Sequence, residues 1–262
     1  MPDGRKAIAG VLLDLGGVVY VGDAPLPGAL EAVRRLKDAG LPLRYLTNTT
    51  RTPQRAMLTK LHGLGLEAEA EELFMPALAA RQILLRDGLS PHLLVHPKLE
   101  EDFAGASGTA GTAVVIGDAA EGFTYGAMNA AFRALQEGAA FLALARNRSF
   151  QDADGALSLD AGPFVAALEY ASGREARVLG KPSPDFFAAA LSSLNLEAGQ
   201  AVMVGDDVEA DVAGGQAAGL AGILVGTGKY RPGDEDLIDP PPDAVVDDIA
   251  AAVDWILERA GT

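Results

Sequence analysis

Long apolar runs without polar–apolar alternation recur along the chain, and segments with helical spacing separate them. The first run, residues 7–13, ends at Asp14 and is followed by a pair of glycines. Runs of this kind are typical of strands that are buried on both faces of a parallel sheet. Residues 29–39 then place their apolar side chains at helical spacing, Gly40 ends that helix, and residues 41–46 are predicted as a second buried strand. Strand, helix and strand in this order predict an α/β fold.

The alternation of helices with apolar strands that end in reactive side chains stops near residue 76 and resumes near residue 176. We therefore predict a doubly wound parallel-sheet (Rossmann-like) core from residues 1–75 and 176–262, with an α/β cap domain inserted at 76–175. The predicted elements of the insert are helices at 77–85, 125–135 and 162–170 (Pro163 in its first position), strands at 92–96, 112–116 and 140–145, and a turn at 152–155. The predicted elements of the returning core are strands at 176–179, 201–204 and 222–225, and helices from 185 to 194 and from 249 to 259.

Composition narrows the classes of partner. The chain has 262 residues, a formal net charge of −15 and no cysteine. An acidic surface disfavours nucleic acid and anionic membrane as partners, although local cations in one cleft can still hold a small phosphorylated substrate. No signal peptide and no apolar run long enough to span a bilayer is evident, so we expect a cytoplasmic protein.

Reactive side chains follow four of the predicted core strands. They are Asp14, Thr47 with Asn48, Lys181, and Asp206 with Asp207 and Asp211. Each group alone also suits a turn, but the carboxyl ends of parallel strands meet at one crevice, where open α/β sheets bind ligands. Several carboxylates in one crevice need a cation, and oxygen ligands without Cys or a nearby His favour Mg²⁺. A lysine beside a hydroxyl and an amide forms an anion site.

These four stretches resemble the motifs of the haloacid dehalogenase superfamily of phosphotransferases. The family pattern is Asp-x-Asp-Gly, then Thr or Ser, then Lys, then Gly-Asp-Asp-x-x-x-Asp, and the resemblance covers nearly the whole chain. The insert resembles the large α/β cap of class IIA, the group of NagD-type phosphatases. Residues 161–187 and 204–235 are similar to one branch of that class over long stretches, which is more specific than any short motif.

The resemblance implies a role for each motif residue. Asp14 would be the nucleophile that forms an aspartyl phosphate, and Thr47, Asn48 and Lys181 would hold the phosphoryl oxygens, with Thr47 and Lys181 also counted as catalytic. Mg²⁺ would be bound by Asp14, Asp206 and the backbone carbonyl of Gly16, while Asp207 and Asp211 would orient water on the metal. By resemblance alone, self-association to a homodimer through the cap is a further expectation.

One position departs from the family pattern, because Gly16 stands where the superfamily has its second Asp. That Asp protonates the leaving group, and loss of a general acid typically costs on the order of 10²- to 10⁴-fold in rate. We therefore expect substrates with good leaving groups, such as acyl phosphates, P–N compounds or pyrophosphate. The alternative is a catalytically weak phosphate-binding protein that acts through partners.

Residues 226–230, Gly-Thr-Gly-Lys-Tyr, partly match a phosphate-binding loop. The upstream glycine of that motif is missing, and Tyr follows the Lys. The segment is therefore predicted as a turn after a strand and is given no functional role.

Overall fold

The computed structural model describes residues 7–151 and 156–261, so the turn predicted at 152–155 lies outside the described residues. In chain order the strands are β1 Gly10–Asp14, β2 Tyr20–Val21, β3 Ala24–Pro25, β4 Leu43–Leu46, β5 Leu73–Phe74, β6 Leu89–Leu94, β7 Gly111–Ile116, β8 Ala140–Ala143, β9 Ser149–Gln151, β10 Leu157–Leu159, β11 Arg177–Val178, β12 Ala201–Gly205, β13 Ala221–Val225 and β14 Ala244–Val246. The α-helices are α1 Ala29–Asp38, α2 Gln54–Gly63, α3 Pro76–Asp87, α4 Tyr125–Gln136, α5 Ala161–Ser172, α6 Pro184–Leu194, α7 Gly214–Ala217 and α8 Ile249–Leu257. One π-helix spans Val208–Ala213.

The contacts within the chain separate two compact units. The first unit comprises Met1–Thr47, Leu58–Phe74 and Lys181–Thr262. Its sheet has six parallel strands in the order β14-β13-β12-β1-β4-β5. Helices α1 and α8 pack on each other, and so do α6 and α7. A parallel sheet surrounded by helices confirms the predicted α/β fold.

Strand β1 lies in the interior of this sheet, between β12 and β4. All five of its residues are buried, as its unbroken apolar run predicts. Leu13 is the register partner of Val204 in β12 and of Tyr45 in β4. Because the three strands are parallel, their carboxyl ends emerge at the same edge of the sheet, and Asp14 lies at that edge.

The second unit comprises Asn48–Met57 and Met75–Gly180. It has its own four-stranded parallel sheet in the order β11-β8-β7-β6 and a two-stranded antiparallel hairpin of β9 and β10. Its apolar core joins strands β7 and β8 to helices α4 and α5, through side chains such as Ile116, Phe141, Leu135 and Val165.

The sequence assigned residues 176–179 to the core sheet, and this assignment was wrong. Strand β11 pairs in parallel with β8 of the second unit, with Val178 opposite Ala143, and the Leu179 N–H donates to the Ala143 carbonyl over 2.8 Å. The first unit resumes only at Lys181, five residues after the predicted boundary at 176. A short apolar segment identifies a strand, but only its hydrogen-bonding neighbour decides which sheet it joins.

Smaller differences concern helix starts and short strands. Pro163 occupies the third position of α5 rather than the first, and Asp160 is the N-cap, whose carboxylate accepts from the Ala161 N–H at 2.6 Å. The short strands β5 and β14 and the hairpin were not predicted. Among the described residues, no helix is both long and apolar enough to cross a bilayer.

Candidate active site

Three aspartates converge at the carboxyl edge of the six-stranded sheet. Asp14 is the last residue of β1, Asp206 immediately follows β12, and Asp211 lies in the π-helix. One carboxylate oxygen from each of them lies within 4.8 Å of the other two. All three side chains are buried. The sequence therefore predicted correctly that these carboxylates meet.

The segment after β12 returns Asp211 to the neighbourhood of Asp206. Asp207 caps the π-helix, since its side chain accepts from the Ala210 N–H at 2.9 Å. The Asp207 N–H in turn donates to Asp211 Oδ2 over 3.3 Å. A Cβ at Gly205 would lie 2.2 Å from the Asp211 Cβ, so only glycine allows this close approach.

Lys181 supplies a buried ammonium group within the carboxylate cluster. Its Nζ donates to Asp14 Oδ1 and, over 2.6 Å, to Asp211 Oδ1. Burial alone would lower the pKa of Lys181, but Asp14 and Asp211 outweigh burial and hold that pKa above its ordinary value. Lys181 therefore stays charged, and one cation is shared by two carboxylates.

The carboxylates carry more negative charge than Lys181 neutralises. Burial raises the pKa of Asp14, against the effect of Lys181 and with a further increase from Asp206. Burial also raises the pKa of Asp206, and it raises that of Asp211 to about 6. A buried group of this composition is stabilised by an added cation.

Lys229 contacts two of the site aspartates, and the sequence assigned it no role. Its backbone N–H donates to Asp206 Oδ2 over 2.7 Å, and its Nζ donates to Asp207 Oδ2 over 2.9 Å. Burial pushes the pKa of Asp207 upward, but the bonds from the Ala210 N–H and Lys229 outweigh it and lower that pKa. The signal available in the sequence was a polar Gly-Thr-Gly-Lys turn directly after an apolar run, at the edge where ligands bind.

The structure also gives the positions of three other predicted site residues, Thr47, Asn48 and Gly16. Thr47 directly follows β4, and its predecessor Leu46 is the register partner of Asp14. Asn48 belongs to the second unit. Gly16 is exposed, and a Cβ built on it would meet no atom within 4 Å.

Two stretches of the chain match known family models, and together they contain the residues of the site. Residues 11–107 match the family model described as haloacid dehalogenase-like hydrolase, and residues 178–252 match a model described as HAD-hydrolase-like. The chain belongs to the haloacid dehalogenase-like hydrolases.

Relatives that match over nearly their whole length identify the branch of the family to which the chain is similar in sequence. A phospholysine phosphohistidine inorganic pyrophosphate phosphatase from Danio rerio is 45% identical over 258 residues, which is 96% of this chain and 95% of the relative. The human haloacid dehalogenase-like hydrolase domain-containing protein 2 is 43% identical over 254 residues, covering 97% of this chain and 98% of the relative. These relatives confirm the branch that residues 161–187 and 204–235 indicated.

Solved structures agree in fold. A p-nitrophenyl phosphatase from Archaeoglobus fulgidus superposes with a TM-score of 0.84 at 26% identity, over 95% of this chain and 99% of that one. NagD from Escherichia coli K-12 gives 0.83 at 26% identity, over 93% and 98%. A glycerol phosphate phosphatase from Mycobacterium tuberculosis in complex with magnesium gives 0.78 at 25% identity, over 94% and 77%. The protein is a hydrolase of the phosphatase type.

Proposed function

We propose that this phosphatase is Mg²⁺-dependent, acts on small phosphorylated compounds and uses Asp14 as the nucleophile of an aspartyl-phosphate intermediate. The observation that carries the proposal is the convergence of Asp14, Asp206 and Asp211 around the Lys181 ammonium at the carboxyl edge of the sheet. Membership of the haloacid dehalogenase-like hydrolases supports it. The same membership, with relatives that are named phosphatases, favours an enzyme over the alternative of a phosphate-binding protein that acts through partners.

The residues of the cluster fit a divalent cation. Three buried carboxylates with raised pKa values offer oxygen ligands and excess negative charge, which suits a hard ion such as Mg²⁺. Asp14, Asp206 and the Gly16 carbonyl would hold the ion, with Asp207 and Asp211 orienting water beside it. When bound, Mg²⁺ would offset the repulsion between a carboxylate and the phosphoryl oxygens.

We assign the nucleophile to Asp14 because it is the first aspartate of the family's first motif, and it is buried at the end of the interior strand β1. In the first step an Asp14 oxygen forms a bond to phosphorus, and the bond from phosphorus to the leaving group breaks. In the second step a water oxygen forms a bond to phosphorus and the bond from phosphorus to the Asp14 oxygen breaks. Inorganic phosphate departs, the protons of the water leave with it or pass to solvent, and the Asp14 carboxylate is regenerated. Lys181 orients the Asp14 carboxylate, and we assign it, with Thr47 and Asn48, to the phosphoryl oxygens.

Gly16 carries no side chain that could protonate a leaving group. Substrates whose leaving groups are already good, such as acyl phosphates, P–N compounds and pyrophosphate, therefore fit best. The Danio rerio relative is named for phospholysine, phosphohistidine and inorganic pyrophosphate, and this supports the same class of substrate. Cytoplasmic location and a homodimer stay predictions.

The first test measures phosphate release with Mg²⁺ from acetyl phosphate, pyrophosphate, p-nitrophenyl phosphate and a sugar phosphate. We expect Asp14→Asn to abolish turnover, whereas Asp38→Asn, an exposed position on α1, retains it. Turnover that survives Asp14→Asn would reject Asp14 as the nucleophile. No turnover on any substrate, together with binding of phosphate analogues, would favour the phosphate-binding alternative.

The second test restores the missing acid with Gly16→Asp. The variant is sterically feasible because a Cβ at Gly16 meets nothing within 4 Å. We expect it to gain activity mainly on the sugar phosphate, whose alkoxide leaving group needs a proton. An equal gain on acetyl phosphate would reject the explanation based on leaving groups.

A further inference from the structure

The turn after β13 encloses one carboxylate of the site. Its residues Thr227, Gly228 and Lys229 lie against Asp206 and against Gly17, which belongs to the loop after β1. We call Gly17, Thr227, Gly228 and Lys229 the Asp206 clamp. None of these four residues was predicted from the sequence to take part in the site.

Two glycines of the clamp flank the Asp206 carboxylate. A Cβ on Gly17 would lie 1.9 Å from Asp206 Oδ2, and a Cβ on Gly228 would lie 2.0 Å from the same oxygen. Both glycines also have left-handed backbones, with φ of +84° and +62°. Glycine is thus required for two independent reasons, space beside the carboxylate and a backbone conformation that other residues disfavour.

Hydrogen bonds close the clamp. The Lys229 N–H donates to Asp206 Oδ2 over 2.7 Å, which holds the carboxylate in one orientation. The Thr227 hydroxyl donates to the Gly17 carbonyl over 2.5 Å, so the turn is tied to the loop that follows Asp14 and contains Gly16. The clamp therefore joins the two segments that carry the proposed ligand groups Asp14, Gly16 and Asp206.

Fixing a ligand before the ion arrives changes the affinity of a metal site. A carboxylate that is already held in its binding orientation loses less rotational freedom when it coordinates, and partners that orient a ligand typically contribute 10- to 100-fold, as an order of magnitude, to affinity. In the clamp, the Lys229 N–H contacts Asp206 Oδ2 and the Thr227 hydroxyl contacts the Gly17 carbonyl. Thr227 is not itself one of the acidic residues of the cluster.

We infer that the Asp206 clamp is a positioning device for the metal site, with Thr227 and Gly228 setting the affinity for Mg²⁺ through the orientation of Asp206 and the Gly17 loop. This inference rests on the proposed function, because it assumes that Asp206 binds Mg²⁺. Gly17 is the glycine of the first motif, whereas Thr227, Gly228 and Lys229 lie outside the four motifs. In this assignment Thr227 acts through Gly17 and Gly228 acts through Asp206.

The experiment measures Mg²⁺ binding to the full chain without substrate. Isothermal titration and the Mg²⁺-dependent rise in Tm are compared for wild type, Thr227→Val, Thr227→Ser and Gly228→Ala. Gly40→Ala is the matched control, because Gly40 has a similar φ of +72° but a Cβ there would meet nothing within 4 Å. We expect Thr227→Val and Gly228→Ala to weaken Mg²⁺ binding by about 10- to 100-fold. Thr227→Ser should bind Mg²⁺ as tightly as wild type. Gly40→Ala should have a lower Tm in chelator but an unchanged affinity for Mg²⁺.

The outcomes separate this inference from the proposed function. Wild type that binds Mg²⁺, together with a Thr227→Val variant that binds equally well, would overturn the clamp and leave the metal site intact. Wild type without any Mg²⁺ response would overturn the metal site, and the clamp with it. If Gly228→Ala fails to fold by circular dichroism, the pair Thr227→Val and Thr227→Ser decides the question. Recovery of kcat in Thr227→Val at high Mg²⁺ would be expected, since only the affinity is changed.

Discussion

Each of the two units carries an aspartate at the carboxyl end of an interior parallel strand, and the two aspartates have different surroundings. In the first unit, Asp14 ends β1 and shares the single Lys181 ammonium with Asp211. In the second unit, Asp118 lies two residues after β7, accepts from Arg51 Nε at 2.5 Å and accepts from the Ala120 N–H at 3.0 Å. The first carboxylate belongs to a cluster with excess negative charge, whereas the second is paired with one cation.

The comparison shows that an aspartate at a strand end does not by itself mark a catalytic site. Arg51 balances the charge of Asp118 and also stacks over the Phe150 ring, 4.4 Å from its centroid, so the pair is a local structural contact. Asp14 has no such one-to-one partner, because Asp206 and Asp211 lie beside it. Uncompensated buried charge distinguishes a ligand site from a structural ion pair.

The largest expected effect is on turnover. We expect Asp14→Asn to lower kcat by on the order of 10⁴-fold or more, because it removes the attacking group, and Asp118→Asn to lower kcat by less than about tenfold. Steady-state assays with acetyl phosphate measure both. Equal losses from the two substitutions would break the distinction between the clustered and the paired aspartate.

The next largest expected effect is on the Mg²⁺-dependent rise in Tm, which should depend on the carboxylate cluster and not on Asp118. At a free Mg²⁺ concentration of 100 times Kd, binding stabilises the folded chain by about 2.7 kcal/mol. We expect the corresponding rise in Tm for wild type and for Asp118→Asn, and its loss in Asp206→Asn. Thermal melts in EDTA and in Mg²⁺ provide the measurement, and a rise retained in Asp206→Asn would exclude Asp206 as a ligand.

The pH dependence in chelator should reveal the clustered carboxyl groups. Burial raises the pKa of Asp211 from 3.8 to about 6, so the folded chain binds this proton more tightly than the unfolded chain does. Its contribution to the free energy of unfolding is therefore full below about pH 4 and is lost as pH rises to about 6. We expect a loss on the order of 2 kcal/mol over that window in wild type, and a shallower slope in Asp211→Asn. Denaturant titrations at each pH test this, and parallel slopes would contradict it.

The smallest expected effect concerns the paired aspartate. Asp118→Ala leaves the Arg51 guanidinium and the Ala120 N–H without this acceptor, which we expect to cost about 1 to 2 kcal/mol of unfolding free energy. The exposure of Arg51, whose side chain is 40% accessible, limits the loss. Urea titration measures the change, with Asp118→Asn as the milder comparison. An increase in stability would instead indicate strain at Asp118.

Much of the fold followed from local pattern. The unbroken apolar runs identified β1, β12 and β13, because strands buried on both faces have few polar positions. Strand β4 was predicted as well, although it contains the half-buried Arg44. Helix α1 was predicted almost to the residue, since Gly40 takes the left-handed conformation that ends it. The short strand β11 was assigned to the wrong sheet, because two residues carry too little pattern to specify a pairing partner.

The candidate site was likewise predicted in part. Asp14, Asp206 and Asp211 could be predicted to meet because the strands that precede the first two are parallel neighbours. Lys181 was expected in the cluster, and it lies there, although the strand before it belongs to the other sheet. The turn that carries most of the Asp206 clamp was visible in the sequence, but its contact with Asp206 was not, because that contact depends on a backbone N–H group and on space left by glycines.

The sequence by itself therefore determined the fold class, the family and the set of acidic groups at one edge of the sheet, because apolar periodicity and motif spacing are local properties of the chain. Only the tertiary structure decided that Lys181 is shared between Asp14 and Asp211, and that Lys229 and two glycines hold Asp206. These contacts join residues that are far apart in the chain, and their geometry depends on how the loops after β1, β12 and β13 approach each other.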